Sequence, residues 1–144
     1  MTAHTRAKIR DAEVPDLGVG ITPVIHTVAI SATTASGGIA ASDTVECFDL
    51  PKGVRLVDAS IRVSGDVSAT TGTATVQLQA KQDSTTINLT DALNADAAGS
   101  KRMNIAPPAV NTDHVTTVQF TVATAALDTT ASGTVEVMVQ YQAP

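Results

Sequence analysis

Aromatic side chains are nearly missing from this 144-residue chain, which holds two Phe, one Tyr and no Trp. A core built without them draws little area from each side chain, so it is thin and held by many small contacts. Cysteine occurs once, at Cys47, which excludes a disulfide within the chain. Its place in the strand-like run Val45-Glu46-Cys47-Phe48 points to a buried, inert thiol. A small domain without disulfides suits a reducing compartment. No apolar run approaches the roughly 20 residues that span a bilayer, so no membrane partner is expected. The charged N-terminus has no apolar stretch behind it of the kind a secretory signal needs, and the sequon Asn88-Leu89-Thr90 reads as chance.

What the chain does have is small and β-branched. It contains 23 Ala, 22 Thr and 17 Val, and 43% of its residues are apolar, enough for one folded domain. Val and Thr suit a pleated, half-buried surface. A thin core of this kind favours a sandwich that gains further stability from neighbouring subunits. Charge is uneven: residues 1–10 hold Arg6, Lys8 and Arg10 and no acid, which leaves six basic against fourteen acidic residues in the remainder. A basic arm precedes an acidic body.

Residues 1–23 lack sustained periodicity and are punctuated by Pro15, Gly18, Gly20 and Pro23, as an extended arm would be. From residue 24 onward short strands alternate with small-residue turns. The pattern predicts strands at 24–31, 44–50, 54–64, 73–82, 115–123 and 134–142. In the third of these Val57, Ala59, Ile61 and Val63 share a face while Leu56 is out of phase, so a bulge is expected near Leu56-Val57. Period-two alternation is clearest in the last strand, where Val135, Val137, Val139 and Tyr141 oppose Glu136, Met138 and Gln140. The longest connection spans residues 83–114. Within it 86–90 fits a short strand, Thr90-Asp91-Ala92-Leu93 offers an N-cap and one helical turn, and Pro107-Pro108 forbids regular structure. A connection of that length in a small domain is usually functional or held by a partner. The fold expected is all-β: a single antiparallel β-sandwich, jelly-roll or Greek-key-like, at 24–144, with an extended N-terminal arm at 1–23.

Recognisable chemistry is scarce. His4, His26 and His114 lie at no metal-ligand spacing, and no metal or cofactor is expected. There is no nucleophile elbow, so no catalytic residue is assigned and the chain reads as non-enzymatic. Gly18-Val19-Gly20 and Gly37-Gly38 lead into no helix that would cradle a phosphate. Asp91, Asn94 and Asp96 lack the alternation and glycine of a calcium loop and read as solvated acids. Three basic residues without interleaved aromatics make a weak nucleic-acid binder, and an acidic body repels phosphates, so a protein partner is favoured. The residues expected to touch partners are Arg6, Lys8 and Arg10 in the arm, with Lys101, Arg102, Pro107 and Pro108 in the long connection.

One stretch carries a resemblance. Its strand from Thr44 runs into Leu50-Pro51-Lys52-Gly53-Val54-Arg55-Leu56-Val57-Asp58-Ala59 and then Ser60-Ile61-Arg62-Val63. This resembles a segment of small structural proteins of tailed bacteriophages, in which a lipophilic–Pro–x–Gly–x–x–Val turn joins two strands. The likeness continues through the 73–82 strand. It implies a head decoration (cement) protein or a related virion component. Such subunits form homotrimers on the capsid exterior, bind the major capsid protein and assemble in the host cytoplasm, with N-terminal arms clamping their neighbours. The alternative it leaves open is a tail or fibre subunit, or another carbohydrate-recognising β-sandwich, although sugar sites favour exposed aromatic platforms.

Overall fold

The long strands form where every second residue is apolar, because one face of each then closes on a common core. In the computed structural model, residues 3–5, 21–29, 39–68, 73–127 and 133–142 are described, the first two segments as backbone. Among the described residues ten strands make two sheets. The first runs β1 (Ala3–Thr5), β3 (Thr44–Leu50), β9 (Thr116–Ala123), β5 (Thr75–Gln82), β6 (Thr85–Asn88), with β7 (Leu93–Asn94) also on β5. The second runs β2 (Ile21–Ala29), β10 (Thr134–Gln142), β4 (Arg55–Val63), β8 (Gly99–Arg102). Every pairing is antiparallel except β1 on β3. Apart from β1 and β7, the strands order as 3-9-5-6 against 2-10-4-8, the wrapping of a jelly roll. The expected all-β sandwich is what the chain forms.

Between the sheets lies one cluster of small apolar side chains, including Val76, Leu78 and Ala80 from β5, Val118, Phe120 and Val122 from β9, and Val135, Val137 and Val139 from β10. All three aromatics, Phe48, Phe120 and Tyr141, are among its fully buried members. Two bulges keep apolar residues inward. In β4 the register with β10 passes from Asp58 to Leu56. Val57 is therefore the extra residue, half-buried, while Leu56 takes the inward place at 3% exposure. The bulge falls where the sequence placed it, but Leu56 rather than Val57 joins Ala59, Ile61 and Val63. In β3 a second bulge between Glu46 and Phe48 lets Cys47 and Phe48 both turn inward.

The long connection contains more strand than its sequence suggests. β6 begins at Thr85, and β7 and β8 follow where a loop was expected. No helical turn forms at Thr90. Its hydroxyl instead accepts the Leu78 N–H at 3.3 Å and its carbonyl accepts Gln77 Nε2 at 2.8 Å, so the side chain completes the edge of β5 where β6 gives way to β7. The first strand of the second sheet spans 21–29, so it starts three residues inside the segment read as arm.

Candidate functional site

Strand register gathers three connections at one end of the sandwich. Leu50 and Gln82 both lie opposite Thr116, and Arg55 lies opposite Gln142. The connections are therefore the turn at 51–54, the turn at 83–84 and the loop at 103–115. The first is closed by the Val54 N–H on the Pro51 carbonyl at 3.2 Å, with Gly53 at φ 82°. A positive φ at the third position is the type II signature and selects glycine there. That same Gly53 donates its N–H to the carbonyl of Asn111 at 2.8 Å, tying the short turn to the long loop.

The loop is pinned along its length. Met103 N–H bonds to the Ala59 carbonyl at 2.8 Å and Asn104 N–H to the Leu89 carbonyl at 3.1 Å. Gln82 Nε2 reaches the Ala109 carbonyl at 2.9 Å. Asn111 Oδ1 then accepts the N–H groups of Asp113 and His114 at 3.0 and 2.9 Å, an Asx turn that leads the chain back into β9. Between these anchors run Ile105, Ala106, Pro107, Pro108, Ala109 and Val110. Ile105 is 39% exposed and Val110 41%. With Val115 at 39%, they are the exposed large apolar side chains among the described residues.

Beside the loop is an open hollow of about 350 Å³, walled by Glu46, Asp83 and Asp113 on one account and by Lys52, Lys81 and His114 on the other. Acidic and basic side chains both line it, so it favours no ligand of one sign. On the outer face of the second sheet a second hollow of about 400 Å³ lies among Asp58, Arg62, Lys101, Arg102 and Met138. Two ion pairs cross this face: Arg102 Nη2 with Asp58 Oδ2 at 2.6 Å, and Arg62 Nη1 with Glu136 Oε2 at 3.3 Å. The Asp58 hydrogen bond, reinforced by its charge, raises the Arg102 guanidinium further above its ordinary value.

Of the residues singled out in the sequence, Pro107 and Pro108 lie in the pinned loop, Pro107 exposed and Pro108 half-buried. Lys101 is exposed on the edge strand β8 and makes no ion pair or side-chain hydrogen bond among the described residues. Arg102 is already held by Asp58. Arg6, Lys8 and Arg10 lie outside the described residues. Ile105 and Val110 escaped notice because apolar residues in a loop have no period to reveal them. The available signal was the ten-residue uncharged run at 103–112, bounded by Lys101-Arg102 and Asp113. Among the described residues no three His, Cys, Asp or Glu side chains gather as metal ligands. Cys47 is fully buried, and desolvation, with the nearby Glu46 charge, pushes its thiol up to about 12.

No protein-family model and no curated protein matches the chain. Among solved structures it is similar to a chain in the capsid of Ralstonia phage GP4, with a TM-score of 0.71 at 18% identity over 99% of both chains. It is also similar to a chain in the cyanophage Pam1 capsid asymmetric unit, with a TM-score of 0.56 at 19% identity over 91% of this chain and 90% of that one. At these identities the likeness is one of fold.

Proposed function

We propose that the chain is a virion structural protein, a capsid decoration (cement) subunit that binds the outer shell of a tailed phage as a homotrimer and stabilises the contacts between capsomers. The observation that carries this reading is the end-to-end likeness to a capsid chain of phage GP4. The alignment spans 99% of both chains, so that chain is of about this length. A jelly roll alone serves many functions, so the fold is not the whole argument. The thin, small-residue core, the pinned apolar loop at one end and the burial of every aromatic all suit a subunit that works by docking. Burial of the aromatics also removes the platforms on which a sugar-binding sandwich would stack its ligand.

The mechanism is passive and has no catalytic step. Trimers seated at threefold or quasi-threefold positions on the capsid exterior bridge neighbouring copies of the major capsid protein and oppose the pressure of packaged DNA. Residues 1–23 reach over adjacent subunits, with Arg6, Lys8 and Arg10 pairing with acidic groups, while Lys101, Arg102, Pro107 and Pro108 face the partner from the folded domain. Modest affinity at each site suffices because a trimer engages the shell through several contacts at once. The test is deletion of residues 1–20. Shell binding should be lost while the sandwich keeps its melting transition; unchanged binding would refute the clamp. A symmetric reconstruction of the particle with the chain inside the shell would refute the exterior location.

A further inference from the structure

One strand stands apart from the jelly roll. β1 has three residues, it is parallel where every other described pairing is antiparallel, and β3 is its one paired strand. Taking it away breaks no other pairing and leaves β3 as the edge of the first sheet. An open edge offers a row of backbone N–H and C=O groups to any strand that fits. Resting on the reading of a trimeric shell subunit, we infer that this edge is the seat for residues 3–5 of a neighbouring copy, so that each subunit donates its first strand to the next.

The register identifies the occupant. Ala3, His4 and Thr5 lie opposite Thr44, Val45 and Glu46, so the seat is matched to this chain's own residues. Every backbone pairing that β1 makes on its own β3 is offered equally by the β3 of a second copy. Exchange of an identical element between protomers is a low-cost route to assembly.

The length of the connection favours the neighbour. β5 lies against β4 and β7 against β8, which leaves β3 and β2 together at the other flank of the sandwich. Thr5 is level with Glu46, and Ile21 begins β2 opposite Gln142, itself opposite Arg55 just beyond the 51–54 turn. Joining those points within one chain takes the rise from Glu46 to Leu50 and a step of about 10 Å between sheets, or roughly eight extended residues. The sequence supplies fifteen, residues 6–20. Their reach of roughly 50 Å exceeds the width of a domain this size, roughly 40 Å. The surplus serves no closure within the chain and suffices for a crossing to an adjacent subunit. Symmetry agrees with this. Donor β1 and acceptor β3 are different surfaces, so the contact is head-to-tail and closes as a ring, as a trimer requires. Two β3 edges meeting directly would be isologous and stop at a dimer.

The experiment refolds two full-length chains together and oxidises them. Both carry Cys47→Ala; one adds Thr5→Cys and the other Glu46→Cys. Paired Cα atoms across a ladder lie about 5 Å apart, within the span that a disulfide bridges. A disulfide should join the two kinds of chain, and the double variant Thr5→Cys/Glu46→Cys should run as covalent multimers up to a trimer on a non-reducing gel. A double variant that oxidises only within one chain, and runs as a monomer, overturns the exchange. So does a trimer in solution that forms no link in either format. Thermal melts against the Cys47→Ala parent establish that each variant is folded. Deleting residues 1–8 gives a second readout without new cysteines: the trimer should fall to monomer while the melting transition persists, and a trimer that survives the deletion overturns the inference. Linked trimers that fail to bind emptied shells would remove the shell-binding reading and leave the exchange standing.

Discussion

Phe120 sits at the centre of β9, opposite Val45 on one side and Leu78 on the other, and is fully buried. In a core of Val, Ala and Leu it is one of the few large fillers, and its small neighbours have little reach with which to close a void. Phe120→Ala should therefore cost about 3–5 kcal/mol, read from the denaturant midpoint at unchanged m-value. A loss under about 1 kcal/mol would mean that the site collapses. Cys47 makes a second prediction at this scale. Its folded pKa of about 12 lies above the ordinary thiol value of 9.0, so between those pH values the folded chain holds a proton that the unfolded chain releases. This contribution is fully present below pH 9 and disappears as pH rises toward 12, with a slope of up to ~1.4 kcal/mol per unit. Burial of Tyr141 acts in the same direction above its own ordinary value of 10.0. Cys47→Ala should flatten the alkaline decline without abolishing it, and the native thiol should resist alkylation at pH 8. Rapid labelling in native buffer would contradict the burial.

Between elements, two strands approach closely where β4 ends and β10 begins. Ser64 N–H bonds to the Thr134 carbonyl at 3.0 Å, and Thr134 N–H returns to Ser64 Oγ at 2.9 Å. A Cβ placed on Gly133 would come within 2.9 Å of the Gly65 carbonyl oxygen and 2.8 Å of Val67 Cγ1. Gly133→Ala should therefore destabilise the chain by about 1–3 kcal/mol, through overpacking against backbone that has little freedom to move. Gly65→Ala, with its nearest contact at 3.9 Å, is the matched control and should cost less. Such approaches are invisible in sequence, where both glycines look like ordinary turn residues. Strands were legible where one face is buried: Thr44–Leu50 and Thr134–Gln142 have the bounds that their alternation implies. β8 was not, because its burial runs from intermediate to fully exposed and leaves no period, and β7 is too short to show one. The candidate site divides in the same way. Pro107 and Pro108 announce a loop, but whether Ile105 and Val110 are covered depends on where Gly53, Gln82 and Leu89 lie in space, and no local pattern encodes that.

At the scale of the whole molecule, the stability of a thin sandwich is decided by how much apolar surface it covers. The core holds three aromatics, and much of the rest is Val and Ala, each of which removes less area from water on folding. The exposed apolar loop adds surface that the isolated domain leaves wet. Both features favour a chain that is marginal alone and firm in company, since anything that binds the folded state and not the unfolded one stabilises it by mass action. If the subunit works as a trimer on a shell, its melting temperature should rise with protein concentration and rise again on the particle, as occupancy of the folded state's contacts increases. The measurement is a dilution series of thermal melts, with the oligomeric state followed by light scattering at each concentration. A trimer that dissociates before it unfolds would show two transitions, the first moving with concentration and the second fixed. A dilute monomer that melts cooperatively at high temperature, unmoved by concentration, would show that the small-residue core suffices by itself. The need for neighbours would then fall, while the sandwich and its pinned loop would stand.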